Sequence, residues 1–212
     1  MTLRIALFGA TGFIGSAVLD EALGRGHEVR ALVRGAGRIP PREGLTVCEG
    51  DAADGRAIAQ TVAGAGAVVS ALGTPRQQPP SADFLADAMR QILKAMDANG
   101  VRRLVAVSGA GITVPGERKP FPHGLISSAV AILARGAVVA KQHEFEVISA
   151  SPLDWTVVRP SRVTDGPAVA EPRVGDVASA VGMRVSRRTL ARFMVDLAAN
   201  SEHVRSAPYI SD

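Results

Sequence analysis

Three glycines recur at three-residue spacing in the stretch GATGFIG, at Gly9, Gly12 and Gly15, directly behind the apolar run LRIALF and directly ahead of SAVLDEAL. Backbone without side chains at such a spacing suits one kind of chemistry: it lets phosphate oxygens approach peptide N–H groups closely. On that reading Gly9 permits a tight turn, Gly12 admits a pyrophosphate, and Gly15 lets the following helix pack against the preceding strand, while Thr11, Phe13 and Ile14 complete the cradle. The alternative is a plain turn. A strand, turn, helix, strand unit of about 30 residues surrounds the motif, and that context favours the dinucleotide reading.

Which dinucleotide depends on the end of the second strand. NAD sites place an acidic residue there, about 20 residues past the glycines, to hold the ribose hydroxyls. This chain instead offers Arg34, in ALVRGAGR, with Arg38 one helical turn on. A guanidinium can grip a 2′-phosphate in a fork and stack on adenine, so NADP(H) is expected in preference to NAD(H). The alternative is that both arginines are solvated surface residues.

The elements that must position these residues alternate along the chain. LRIALF reads as a buried strand, and Ile14, Val18, Ala22 and Leu23 form a helical face that Gly24 and Gly26 bring to an end. HEVRALVR, LTVCEGD and AVVSALGT read as three further strands. DFLADAMRQILKAMDANG is an amphipathic helix closed by Asn99 and Gly100, followed by the strand VRRLVAVSGAG. ITVPGERKPFPHG is rich in Pro and Gly and reads as a surface loop, and an Ala-rich helical stretch runs from about Leu125 to Ala150. The strand DWTVVRP, a loop from Ser161 to Gly182 and the helix RRTLARFMVDLAAN complete the chain. The fold class is α/β: a Rossmann doubly wound parallel sheet, one domain over residues 1–212, with small C-terminal loops and a helix on the substrate side.

Composition bounds the function. The chain has 212 residues, 47% hydrophobic and 21% charged, which suits one ordinary globular domain with a sizeable core. Net charge is +4, but the basic residues are scattered and the chain holds one Tyr and one Trp, so nucleic acid is not expected as a partner. The single cysteine, Cys48, reads as a small strand residue, and a reducing cytoplasm is the expected compartment. No uninterrupted apolar stretch is long enough for a membrane span. Four His and one Cys show no metal-ligand spacing, so no metal site is expected. VSGAG lacks the glycine placement of a nucleophile elbow, which leaves an esterase without support.

With these motifs in order the sequence resembles the atypical short-chain dehydrogenase/reductases, and within them the small NAD(P)H-binding group that includes flavin reductase (biliverdin-IXβ reductase) and the NmrA-like proteins. GATGFIG, the VR ending the second strand, EGDAAD, SALGT, VAVSGAG, the K-x-x-E of AKQHE, LDWTVVRPS and SRRTLARFM carry the resemblance over nearly the whole chain. It implies that Asp51 and Ala52 border the adenine and that Ala71, Leu72 and Gly73 line the cofactor. It puts Ser108, Gly109 and Ala110 beside the nicotinamide, Lys141 at the nicotinamide ribose, and Pro160, Ser161 and Arg162 over the nicotinamide end. Ser108 and Lys141 are the catalytic candidates. Each has a bland alternative: Ser108 as the end of a strand, Lys141 as an i,i+3 partner of Glu144 on a solvated helix face. Lysine is scarce, occurring at Lys94, Lys119 and Lys141, which tilts the reading towards a role for Lys141.

One departure matters more than these matches. The superfamily's usual general acid is a Tyr four residues before the Lys, and here that position is Ala137; the one tyrosine is Tyr209. Two functions accommodate the loss. An NADPH-dependent reductase of a planar acceptor, such as a flavin, quinone or linear tetrapyrrole, can draw its proton from water or Ser108, with His123 and His143 as further candidates. A non-catalytic NADP(H)-binding regulator of the NmrA-like type needs no donor. Ile112–Gly124 and the apolar LISSAVAILARGAVV after it could form a lid for a flat acceptor, and the second half of that stretch reads equally as a core helix. An exposed remainder would serve a homodimer.

Overall fold

The computed structural model describes residues 2–74, 83–117 and 128–212. Two glycine-interrupted apolar runs open the chain as β1 (Arg4–Phe8), α1 (Phe13–Gly24) and β2 (Glu28–Val33). There follow β3 (Leu45–Glu49), α2 (Gly55–Val62), β4 (Ala67–Ser70), α3 (Phe84–Ala98) and β5 (Arg103–Val107). The second half holds α4 (Ser128–Ser149), β6 (Asp154–Pro160), β7 (Arg162–Thr164), β8 (Arg173–Gly175), β9 (Arg184–Ser186), α5 (Arg187–Ala199) and β10 (Tyr209–Ser211).

The described strands form an eight-stranded sheet in the order β3-β2-β1-β4-β5-β6-β10-β8, parallel except for β8, beside a two-stranded parallel ribbon of β7 and β9. This is the doubly wound order, and the chain changes direction across the sheet between β1 and β4. Both faces are covered at the centre of the sheet, so β1, β4, β5 and β6 are buried almost throughout rather than alternating. In β1, Ile5 and Leu7 pack beneath α1 and α5 with Val18, Leu190 and Met194. Ala6 and Phe8 pack on the opposite face with Ile58, Met89, Ile92 and Phe145 from α2, α3 and α4. These four β1 side chains are fully buried, and Arg4 at the start of the strand is exposed.

The helices end where the sequence signals allow. α1 stops at Gly24, and Gly26 turns the chain with φ +74°; α3 stops before Asn99 and Gly100, the latter at φ +67°. Asp54 caps α2 by accepting from the Arg56 and Ala57 amides, and Ser186 caps α5 by accepting from the Thr189 amide at 3.0 Å.

Two parts differ from the sequence expectation. Gly55–Val62 is a helix, where the sequence was read straight from the third strand to the fourth. Residues 161–182, read as a loop, contain β7 and β8, and β10 adds Tyr209–Ser211 to the main sheet beside β6. These strands are three residues each, too short to show a period, and their partners lie far along the chain. The expected helix from Leu125 to Ala150 is present as α4, with residues 125–127 outside the described part.

Candidate functional site

The glycine turn lies at the switch point of the sheet. Gly9 follows β1 in a left-handed conformation, φ +85°, that strongly favours glycine. A Cβ there would lie 2.5 Å from the carbonyl oxygen of Ala71, just past β4, so Gly9 keeps the ends of β1 and β4 in contact. A Cβ on Gly15 would lie 2.1 Å from the Gly9 oxygen, which makes Gly15 the closest approach of α1 to the turn. The Gly12 amide donates to the Gly9 carbonyl at 2.9 Å, and Gly12 supplies α1 with no side-chain cap. Thr11, Gly12 and Phe13 are exposed, and Ile14 is half-buried. The N-terminus of a twelve-residue helix thus opens beside backbone stripped of side chains, the arrangement that attracts a phosphate. The Arg187 guanidinium at the start of α5 lies 5.0 Å from the centre of the Phe13 ring and pairs with Asp165 at 2.9 Å, closing the far side of the turn.

Arg34 directly follows β2 and Arg38 sits in the short turn after it. Both are exposed, and neither side chain has a hydrogen-bond or ion-pair partner among the described residues. Asp51, after β3, is exposed and accepts from the Ala53 amide at 3.0 Å; Ala52 is buried. Ala71, Leu72 and Gly73 continue β4, with Gly73 exposed. Ser108 and Gly109 continue β5, and the Ser108 amide donates to Val158 of β6. The Ala110 amide donates to the carbonyl of Pro160, which is buried at the end of β6. Ser161 is exposed and donates its hydroxyl to the Gly182 carbonyl, and Arg162 is exposed on β7 in register with Arg184. The sequence candidates therefore fall at the carboxyl ends of β1, β2, β3, β4, β5 and β6, where ligands of open α/β sheets bind.

Lys141 projects from α4 to the seam between β4 and β5. Its ammonium donates to Leu72 O at 2.7 Å, Val107 O at 2.8 Å and Glu144 Oε2 at 2.7 Å. The i,i+3 pairing with Glu144 is present, but not on a solvated face, since the Glu144 side chain is 2% exposed. Burial pushes the Glu144 carboxyl above its usual range, and the Lys141 ammonium opposes that shift. Ser108 Oγ, Ser70 Oγ and Glu144 Oε1 are buried and have no partner among the described residues.

Ala137 is exposed one turn before Lys141, and Tyr209 does not replace the missing phenol. Tyr209 is 2% exposed and donates its hydroxyl to Glu117 Oε1 at 2.7 Å. Its pKa is pushed up to about 12, first by burial and then by the Glu117 bond. His143 meets Asp83 at 2.8 Å through Nδ1, and His123 lies outside the described residues, as does much of the expected lid. The sequence reading missed the pairing of buried Arg159 with Glu117 and Tyr209, since a charged residue in an apolar strand carries no sign of its distant partner. The broad concavity lined by Gly66, Gly100, Arg103, Asp154 and Asn200 lies at the amino ends of the strands. There Arg103 is already spent on the carbonyls of Leu197, Asp154 and Glu202.

A family model described as NAD(P)H-binding matches residues 9–201, from the first glycine of the turn to the end of α5 and two residues beyond. The chain belongs to this NAD(P)H-binding family. A reductase of a Streptomyces species, 3-diazoavenalumate denitrifying reductase, is 36% identical over 123 residues, 53% of this chain and 40% of that protein. The chain spans between 34% and 52% of the length of the curated relatives it matches. Among solved structures, ChuY of Escherichia coli O157:H7, described as an anaerobillin reductase, superposes with TM-score 0.80 and 23% identity over 98% of this chain and 96% of that one. A short-chain dehydrogenase/reductase of Veillonella parvula gives TM-score 0.78 and 21% identity over 100% and 95%. These structural likenesses establish the fold, and the family match bears out the NAD(P)H-binding part of the resemblance. Among the described residues no helix is long and apolar enough to cross a membrane.

Proposed function

We propose that the protein is an NADPH-dependent reductase that passes hydride to a planar organic acceptor such as a flavin, a quinone or a linear tetrapyrrole. The observation that carries the reading is the switch-point crevice, in which Gly9 lies against Ala71 and Arg34, without a partner among the described residues, stands at the end of β2. In this reading Gly9, Thr11, Gly12, Phe13, Ile14 and Gly15 hold the pyrophosphate, and Arg34 and Arg38 take the 2′-phosphate. Asp51 and Ala52 border the adenine, Ala71 to Gly73 form one wall, and Ser108, Gly109, Pro160, Ser161 and Arg162 surround the nicotinamide end. The nicotinamide supplies hydride when bound. The chain's own contribution is alignment and exclusion of water. Ser108 Oγ, buried without a partner among the described residues, is the group positioned to hold a proton for the acceptor.

Ala137 supports the choice of acceptor. A ketone or aldehyde needs a proton delivered to a developing alkoxide, whereas a flavin or quinone spreads the charge over a conjugated ring. The Streptomyces relative and ChuY are both described as reductases, which agrees with such chemistry. The same Ala137 favours a second reading, a non-catalytic NADP(H)-binding redox sensor of the NmrA-like type.

NADPH oxidation against FMN, FAD, simple quinones, biliverdin and small aldehydes, with NADH alongside, tests the proposal. Saturable oxidation with a flavin, quinone or tetrapyrrole is expected. Tight NADPH binding without turnover on any acceptor would replace the reductase by the sensor.

A further inference from the structure

The hydrogen-bonded ladder between β4 and β5 ends at the pair Ser70 and Ala106. Among the described residues no further pairing joins the two strands beyond it, and Lys141 stands there. Its Nζ reaches Leu72 O, two residues past Ser70, and Val107 O, one residue past Ala106. A lysine ammonium has three N–H donors. All three are spent inside the protein, two on the strand ends and one on Glu144, and the Lys141 side chain is 17% exposed. Glu144 has no other partner among the described residues, because its second oxygen is buried and unpaired. The carboxylate is therefore devoted to Lys141. Taking both charges out of water is costly, so the pair persists only because its geometry is well satisfied on the lysine side.

We propose that Lys141 and Glu144 are positioning residues, a buried ion-pair staple that sets the separation of the Leu72–Gly73 and Ser108–Gly109 backbones instead of binding the cofactor ribose. The proposal rests on the reading that NADP(H) occupies the crevice between these two walls. The ammonium takes over as a cross-link where the ladder stops, and Glu144 holds it turned towards the sheet. A ribose hydroxyl could receive an N–H from Lys141 only if one strand end lost its own. The adenine half of the crevice, at β2 and β3, lies away from the staple, so the two halves of the cofactor should respond differently to its loss.

Glu144→Gln keeps the side-chain shape and removes the charge. Amide exchange is read in the ligand-free protein, and affinity is read for NADPH and for adenosine 2′,5′-bisphosphate, which reaches only the adenine half. Exchange at Gly73 and at Ser108–Gly109 should accelerate together by about tenfold. NADPH should weaken by about tenfold and the bisphosphate by less than about twofold, since misplacement is confined to one end. Unchanged exchange with weakened NADPH would make Lys141 a cofactor ligand and overturn the staple. Equal weakening of both ligands would mean a general loosening of the fold, and no change in any readout would leave the pair without a role; either overturns it too. If Glu144→Gln does not fold, Lys141→Arg carries the same comparison, because a longer planar group cannot place donors on both carbonyls and the carboxylate at once. Failure of the unaltered protein to bind NADPH would remove the cofactor reading, while the exchange measurement would still decide the staple.

Discussion

The guanidinium carbon of Arg159 lies 3.8 Å above the ring of Tyr209, and Arg159 Nη1 donates to the Tyr209 hydroxyl at 3.0 Å. The two residues are register partners on β6 and β10. Glu117, from the segment after β5, completes the cluster by accepting from Arg159 at 2.6 Å and from Tyr209 at 2.7 Å. Residues from three separate stretches thus meet in one buried polar group at the substrate side of the sheet. This group ties the segment leading away from Ser108 to the two strands beside it.

Tyr209 should therefore act on stability and not on the proton of the reaction. Tyr209→Phe removes the hydrogen bond to the Glu117 carboxylate, worth about 1.5–3 kcal/mol for a bond to a charged group. The pH dependence carries a sign. The folded state holds the phenol up at about 12 against 10.0 in the free side chain, so its stabilising contribution is complete below pH 10 and is lost as pH rises towards 12. Urea unfolding at pH 8 and pH 11 should show the unaltered protein losing more stability than Tyr209→Phe between the two. An equal loss would place the phenol outside the network, and loss of turnover without loss of stability would return it to the list of proton donors.

Gly15→Ala should abolish the cradle. Its Cβ would lie 2.1 Å from the Gly9 oxygen and 2.7 Å from the Gly9 carbonyl carbon, both backbone atoms of the turn. The helix must move away or the turn must open, and either displaces the N–H groups meant for phosphate. We expect NADPH affinity to fall by at least about a hundredfold, as misplacement by an ångström costs in other sites. Gly24→Ala is the control, because a Cβ there meets nothing within 4 Å. Fluorescence titration with NADPH measures both, and equal affinities would refute the phosphate reading of the turn.

How far the sequence reveals this site follows from the range of the interactions. The glycine turn, the apolar strands and the caps at Gly24 and Asn99 are local, so their residues show in the sequence, as does the order in which Ala71, Ser108 and Pro160 reach the crevice. α2 was legible in principle from Asp54 followed by Ala57, Ile58, Thr61 and Val62 at helical spacing, but eight residues are a weak signal. Burial of Glu144 and Arg159 was not legible. Charged side chains are mostly exposed; burial of Glu144 is tolerated through Lys141, which the Leu72 and Val107 carbonyls hold in place, and burial of Arg159 through Glu117, Tyr209 and the Ala207 carbonyl, all distant in sequence except Lys141.

Restoring the missing tyrosine should not restore carbonyl reduction. Ala137→Tyr would place a phenol one turn before Lys141 on an exposed part of α4. Such a phenol becomes an effective acid only when a nearby ammonium lowers its pKa, and the Lys141 donors are already engaged at the β4–β5 seam. NADPH-linked reduction of small aldehydes should rise by less than about tenfold, well short of the usual gain from a general acid. A gain of about a thousandfold would mean that Lys141 leaves its carbonyls readily, against its role as a staple.

In the proposed reading, Arg34 should decide the choice of dinucleotide. It leaves β2 at the point where an NAD site carries a carboxylate, and it is exposed with no partner among the described residues. A bidentate contact with a doubly charged 2′-phosphate is worth more than one with a ribose hydroxyl, and a glutamate would repel the phosphate while accepting from the hydroxyls. Arg34→Glu should weaken NADPH by about a hundredfold or more and leave NADH within about threefold, since each charge-assisted bond contributes about 1.5–3 kcal/mol. Parallel titrations with the two cofactors at fixed salt give the ratio. An equal loss for both would remove Arg34 from the phosphate site and with it the preference for NADP(H).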